Sequence, residues 1–297
     1  MPGPVLGSEA VSGQGVTRGI RRAAMLGLVA AAALPGAAQA RVVEPVSVTG
    51  KVDVPAGKTL SLTLNCPARA VALNGTSLAA TSSFPGINAR RWTFRFSAGA
   101  TAKSGSAVLR CVRLRLPRRV SGVGLAVGTV IEPVFEVPPG GTQSIAIRCP
   151  RGQVPTGWGL ERDENGNSLA LAEAAPTKRG WSFTVENTGA AGADGDLQIR
   201  CLERKQRAAT GQRHAFKTRV ASFTEQLQGG GTASRSCRAG EFSVATGVSL
   251  PAADDIVLAG TTVFGQRGGE WAFAQRAGTA AVQTRLICLA RTTGFHR

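Results

Sequence analysis

The sequence predicts an all-β protein of three tandem domains, each closed by one internal disulfide. Two observations carry this reading. First, six cysteines and three of the four tryptophans fall into one pattern written three times: Cys66, Trp92-Thr93-Phe94, Cys111; Cys149, Trp181-Ser182-Phe183, Cys201; and Cys237, Trp271-Ala272-Phe273, Cys288. The first cysteines lie 83 and 88 residues apart, the second ones 90 and 87, and the tryptophans 89 and 90, a near-constant period that marks duplicated units. Second, short stretches of alternating polarity are bounded by Pro/Gly turns, and none holds a helical apolar period capped at both ends. Such spacing predicts β-sandwiches or small barrels.

Residues 1–40 read as an export signal. Arg18, Arg21 and Arg22 form a basic start, Ala23 to Leu34 an apolar run too short to span a bilayer, and Ala38-Gln39-Ala40 a cleavage site. The paired arginines leave the general secretory and twin-arginine routes open. The first domain is expected over residues 41–118. There Leu60, Leu62, Leu64 and Cys66 alternate with Ser61, Thr63 and Asn65, the period of a half-buried strand. The second domain, residues 119–206, repeats this at Ile145, Ile147 and Cys149. In the third, residues 207–297, the stretch before Cys237 alternates poorly and reads as an edge strand. Val54-Pro55-Ala56-Gly57, Val137-Pro138-Pro139-Gly140 and Gly229-Gly230-Gly231 supply turns ahead of each first cysteine. Asn74-Gly75, Thr156-Gly157 and Thr246-Gly247 fall into approximate register after it, which sets Trp158 opposite Thr76 and Val248.

An exported chain with an even cysteine count is expected to be oxidised. One pair per repeat predicts Cys66–Cys111, Cys149–Cys201 and Cys237–Cys288. Metal ligation does not fit, because no Cys-x-x-Cys occurs and His214 and His296 are the only histidines. No cofactor is expected. The Trp-x-Phe triplets put two aromatics on one strand face, which predicts core packed against the disulfides rather than three ligand platforms. Trp158 has no counterpart in the other copies and is the candidate for an exposed contact.

The formal charge is +17, and the signal carries +2 of it. Residues 41–118 hold +10, residues 119–206 −1 and residues 207–297 +6, so electrostatic binding is expected to concentrate in the first domain. Its candidate polyanion surface is Arg90, Arg91, Arg95, Arg110, Arg113, Arg115, Arg118 and Arg119. Val112, Leu114 and Leu116 would face inward and turn Arg113 and Arg115 to solvent, where guanidinium forks grip phosphate, carboxylate or sulfate. The competing view is that these arginines only solvate an Arg-rich surface.

Catalysis is not expected. His214 is the single plausible triad histidine, and it lies in a basic connection. The acidic stretch Glu161, Asp163, Glu164 with Asn165-Gly166-Asn167 lacks the spacing of a calcium loop and reads as a polar turn, as does Asp254-Asp255. The unit Val-Pro-x-Gly-x-Thr, Cys-Pro, Gly, Trp-x-Phe, Cys resembles small disulfide-containing β-repeat domains of exported bacterial proteins of unknown function. Cys149-Pro150-Arg151-Gly152 with Gly180-Trp181 is the best match and Cys66-Pro67-Ala68 a partial one, while Cys237-Arg238-Ala239-Gly240 lacks the proline. The resemblance implies only a β-rich exported chain. The leading expectation is therefore a non-catalytic secreted or envelope-associated binding or structural module, with an anionic envelope polymer or a surface protein as partner. Intracellular nucleic acid is not an expected partner, nor is a transmembrane segment after signal removal. A protein-interaction scaffold ranks second and a hydrolase last.

Overall fold

The computed structural model describes residues 42–115, 125–131, 134–162, 168–207, 213–251, 256–275 and 279–296. The expected signal, Arg118, Arg119, the Asp163 to Asn167 stretch and Asp254-Asp255 lie outside them. The first Cys/Trp/Cys segment supplies β1 (Val42–Val54), β2 (Thr59–Asn65), β3 (Val71–Thr76), β4 (Ser82–Pro85), β5 (Arg91–Ser97) and β6 (Lys103–Arg115). The second supplies β7 (Val127–Ile131), β8 (Phe135–Val137), β9 (Thr142–Arg148), β10 (Gln153–Arg162), β11 (Leu169–Pro176), β12 (Gly180–Asn187) and β13 (Ala193–Glu203). After β14 (Lys205–Arg207) and β15 (Arg213–Ala215), the third supplies β16 (Thr218–Gln228), β17 (Gly231–Ser236), β18 (Glu241–Ser249), β19 (Ile256–Phe264), β20 (Gly268–Gln275) and β21 (Thr279–Ala290), and β22 (Gly294–His296) ends the chain's described part. The protein is all-β. No helix of the described residues is long and apolar enough to cross a membrane.

One antiparallel pairing scheme serves all three segments. The last strand lies between the first and third: β6 between β1 and β3, β13 between β7/β8 and β10, β21 between β16 and β18. The fifth lies between the second and fourth: β5 between β2 and β4, β12 between β9 and β11, β20 between β17 and β19. Side chains of both strand sets meet in one cluster, as Leu64, Trp92 and Phe94 do with Ala72, Leu109 and Cys111. The triplet aromatics are core, with Trp92, Trp181 and Trp271 no more than 1% exposed. Each indole withdraws ~150–250 Å² from water, about 4–6 kcal/mol of transfer free energy before the entropy of ordering is subtracted.

The structure pairs Cys66 with Cys111, Cys149 with Cys201 and Cys237 with Cys288. Each first cysteine follows the second-position strand and each partner sits on the last strand, so every disulfide staples one strand set to the other. Opposite the second cysteine the third strand carries a bulge in every segment, at Ala72/Asn74, Pro155/Gly157 and Ser243/Ala245. The bulges fix an alignment that differs from the dipeptide register. Gly75, Trp158 and Thr246 hold matching places, opposite Leu109, Ile199 and Leu286.

The segments share sheets. The fourth strand of the first pairs with the third strand of the second (β4–β10), and the fourth of the second with the third of the third (β11–β18). The fourth strand of the third returns to the first segment: Thr261 of β19 bridges Ser77, one residue past β3, and the Val263 amide donates to Thr76 Oγ1 at 3.2 Å. These contacts run in a closed cycle. The described residues accordingly form one compact unit. The contacts need close backbone approach: a Cβ on Gly157 would lie 2.0 Å from the Leu73 carbonyl.

One turn departs from the shared chemistry. After each first cysteine the chain makes a left-handed step, taken by Gly152 (φ 89°) and Gly240 (φ 79°) in two segments but by Arg69 (φ 64°) in the first. A side chain there is strained. Arg69→Gly is expected to stabilise the protein by about 0.5–1 kcal/mol, the relief of strain outweighing the added freedom of the unfolded chain. A urea midpoint unchanged or lowered would contradict this.

Candidate functional site

Of the eight arginines expected on one surface, the six that are described, all but Arg118 and Arg119, are dispersed. Arg110 is buried (1% exposed): it donates to Ser47 Oγ at 2.7 Å and to the Gly265 carbonyl at 2.9 Å, reaching from β6 to the turn between β19 and β20. The third segment covers it, so Arg110 is not part of a polyanion surface. Arg200 holds the matching place on β13 and makes the same reach into the first segment. It donates to Thr129 Oγ1 and to the carbonyls of Gly86 (3.0 Å), Asn88 (2.9 Å) and Arg91 (3.2 Å). Burial lowers both guanidinium pKa values to about 10. The third segment has Ile287 in that place.

Arg113 pairs with Glu44 at 3.0 Å, and its hydrogen bond holds the Glu44 carboxyl below the usual range. Arg95 pairs with Glu161 of the second segment at 2.9 Å and lies over the Phe84 ring. Arg90, Arg91 and Arg115 are exposed, but β5 and β6 belong to different strand sets. Arg90 curls back to donate to the Cys66 carbonyl at 2.6 Å. The exposed arginines instead recur beside every disulfide. The Cys66, Cys149 and Cys237 amides donate to the carbonyls of Arg90, Arg179 and Arg267, and the adjoining turns carry Arg69, Arg151 and Arg238; all six are exposed.

Trp158 is not in an exposed turn. It lies within β10, half-buried, with its indole donating to the Thr246 carbonyl at 2.8 Å and its ring 6.2 Å from Trp181 and 5.8 Å from Phe183. It lines a cavity of about 100 Å³ where strands of all three segments converge, together with its counterparts Gly75 and Thr246. Thr81, Ser82 and Arg162 also line an outer groove of about 770 Å³, together with Arg95, Glu161, Asp194 and Asp196. Burial pushes the Glu161 carboxyl up against the opposing pull of Arg95, and Asp196 adds to the rise. The Asp196 carboxyl is raised by burial as well.

No family model matches the chain, and no curated protein does either. The geometry therefore stands alone. The backbone of His214 pairs with Gln206 and Phe295, in a small sheet of β14, β15 and β22. Among the described residues, one cluster of three potential metal ligands occurs, Cys237, Glu241 and Cys288, and its two sulfurs are bonded to each other. Sequence reasoning missed the groove, because Arg95 and Glu161 lie 66 residues apart and meet only through the β4–β10 pairing.

Asp196 supplies a pH-dependent test. Its carboxyl is raised in the folded protein, so the charged form carries a folding penalty that is absent in acid and grows as pH climbs through the carboxylate range. Asp196→Asn is expected to be more stable than the parent at pH 7 and equal to it near pH ~3. Urea midpoints at the two pH values check this, and a variant less stable at pH 7 would contradict it.

Proposed function

We propose that this chain is an exported, non-catalytic binding module of three homologous β-sandwich-like domains joined in a ring, acting outside the cytoplasm. Three disulfides, each tying together the two strand sets of one segment, fit an oxidising compartment. The partner we favour is an anionic polymer of the cell envelope or its surroundings. The observation that carries this is the exposed arginine pair beside each disulfide: Arg69 and Arg90, Arg151 and Arg179, Arg238 and Arg267.

Within the turns the arginines stand three, two and one residues past the first cysteine, so the charge is kept while its sequence position moves. Weak sites on one rigid frame gain by acting together on one polymer. Binding to dextran sulfate should weaken steeply with salt between ~50 and ~500 mM, as counterion release requires. It should fall progressively as Arg90, Arg179 and Arg267 are changed to Glu singly, in pairs and together. Retention indifferent to salt, or to the triple change, would remove this reading. The second reading, a protein-interaction scaffold, draws on Ile87, which is 98% exposed beside Arg90 and Arg91.

A further inference from the structure

In two of the three segments the turn between the fourth and fifth strands presents an exposed apolar side chain. The first segment's turn carries Ile87, 98% exposed and the most exposed large apolar side chain among the described residues. Phe264, at 44%, stands at the start of the third segment's turn. The second segment's turn, Thr177-Lys178-Arg179, presents cations instead.

The two apolar tips are the two that a buried arginine holds from behind. Arg200 donates to the carbonyls on either side of Ile87, Gly86 at 3.0 Å and Asn88 at 2.9 Å. The Gly86 amide donates to the Arg91 carbonyl and the Arg90 amide to Asn88 Oδ1, which closes the turn. Arg110 braces the third segment's turn at the Gly265 carbonyl, next to Phe264. By the order of the cycle the second segment's turn falls to Ile287, which has no side-chain donor. A lone isoleucine fixed in water adds nothing to the core. A tip held in one shape, however, meets a partner without the cost of ordering it.

The surroundings of the tips choose the partner. Beside Ile87 stand exposed Arg90 and Arg91, with exposed Arg69 on the neighbouring turn, and the two turns are joined by the Cys66 amide on the Arg90 carbonyl. Pro67–Ala70 and Gly86–Arg91 hold no carboxylate. Phe264 repeats the arrangement with Arg267 and Arg238. A protein interface is built around a contiguous core of several apolar side chains. One apolar side chain ringed by guanidiniums has instead the composition of a contact with lipid headgroups, the cations staying at the phosphates while the tip goes deeper.

We propose that the Ile87 turn docks on an anionic lipid surface, Ile87 entering the headgroup boundary while Arg69, Arg90 and Arg91 bind lipid phosphates. This rests on the anion-binding reading of the arginine corners and names a lipid surface as the partner of the first. The oxidised full chain would be sedimented with phosphatidylcholine vesicles that contain or lack ~30% phosphatidylglycerol, at ~50 mM salt. Binding should require the phosphatidylglycerol. Ile87→Ser, at a side chain outside the core, should weaken it by about threefold to tenfold and leave binding to dextran sulfate, which has no apolar layer, at the parent's level. In an Ile87→Trp variant the added fluorescence should be quenched by acyl chains brominated near the headgroup. Vesicle binding unchanged by Ile87→Ser, or no quenching at position 87, would mean adsorption by charge alone and overturn the proposal. Dextran sulfate bound but acidic vesicles ignored would overturn it too, leaving the polymer reading in place and Ile87 to a protein partner. Neither bound would remove both.

Discussion

Arg200→Met is expected to lower the free energy of unfolding by about 2–4 kcal/mol. Methionine keeps most of the buried stem but offers no donor to Thr129 Oγ1 or to the carbonyls of Gly86, Asn88 and Arg91. A carbonyl that loses a charged donor forfeits about 1.5–3 kcal/mol, less whatever entering water returns. Thr129 is on β7, but the three carbonyls lie in the turn joining β4 to β5 and at the start of β5, so most of the loss falls on the junction between the first and second segments. Arg200→Lys should rescue only part, since Nη1 serves Thr129 Oγ1 while Nη2 serves the three carbonyls, and one ammonium cannot fill both places as a planar fork does. Arg110→Met should cost less than Arg200→Met, because Arg110 holds two partners, Ser47 and Gly265. Urea unfolding of the set checks the order. A methionine variant at position 200 as stable as the parent would show that desolvating the cation cancels its hydrogen bonds.

Removing the Cys149–Cys201 bridge by a double alanine change is expected to cost about 4 kcal/mol, from the entropy released to a closed loop of roughly 50 residues, plus a term for the lost sulfur packing. This bridge sits in the largest apolar cluster, which draws Leu73 and Val112 from the first segment and Phe242 and Leu289 from the third. The other two loops, at separations of 45 and 51, differ from it by only tenths of a kcal/mol in the same chain-entropy model. Any larger spread among the three deletions therefore measures packing. For a protein whose net stability is of order 5–15 kcal/mol, losing all three bridges at once should unfold it. Circular dichroism after reduction reads that directly, and a native β spectrum in excess reductant would contradict it.

What could be read from the chain was what repeats locally. Strand type, the core place of the Trp-x-Phe triplets and the cysteine pairing follow from alternation and a constant period, and both are short-range signals. Arg110 shows where such signals stop. Alternation sets it on one face with Val112 and Leu114, which are core, but its partner at Gly265 lies 155 residues away on the third segment's turn, beyond any local signal. Arg95 looked like free charge because its partner Glu161 comes from the next segment's third strand. The Asn74-Gly75, Thr156-Gly157 and Thr246-Gly247 register sets Trp158 against Thr76 and Val248. Strand pairing gives Gly75 and Thr246 as its counterparts, each nine residues past its first cysteine as Trp158 is, while the dipeptide glycines lie nine, eight and ten residues past. The cavity was invisible for the same reason, since its wall is drawn from three distant stretches.

The ring is the central claim, and its closing contact is the most direct place to test it. Ser77 and Thr261 are directly opposed in an antiparallel bridge, 184 residues apart in sequence, at a spacing a disulfide can span. A Ser77→Cys, Thr261→Cys double variant, oxidised and mapped by non-reducing peptide mass spectrometry, should form that cross-link within the monomer while keeping the three native pairs. Its unfolding midpoint should rise as a single transition. Cysteines at 77 and 261 that stay free, or that link only between molecules, would mean the third segment does not return to the first, and the chain would be a row of domains rather than a ring.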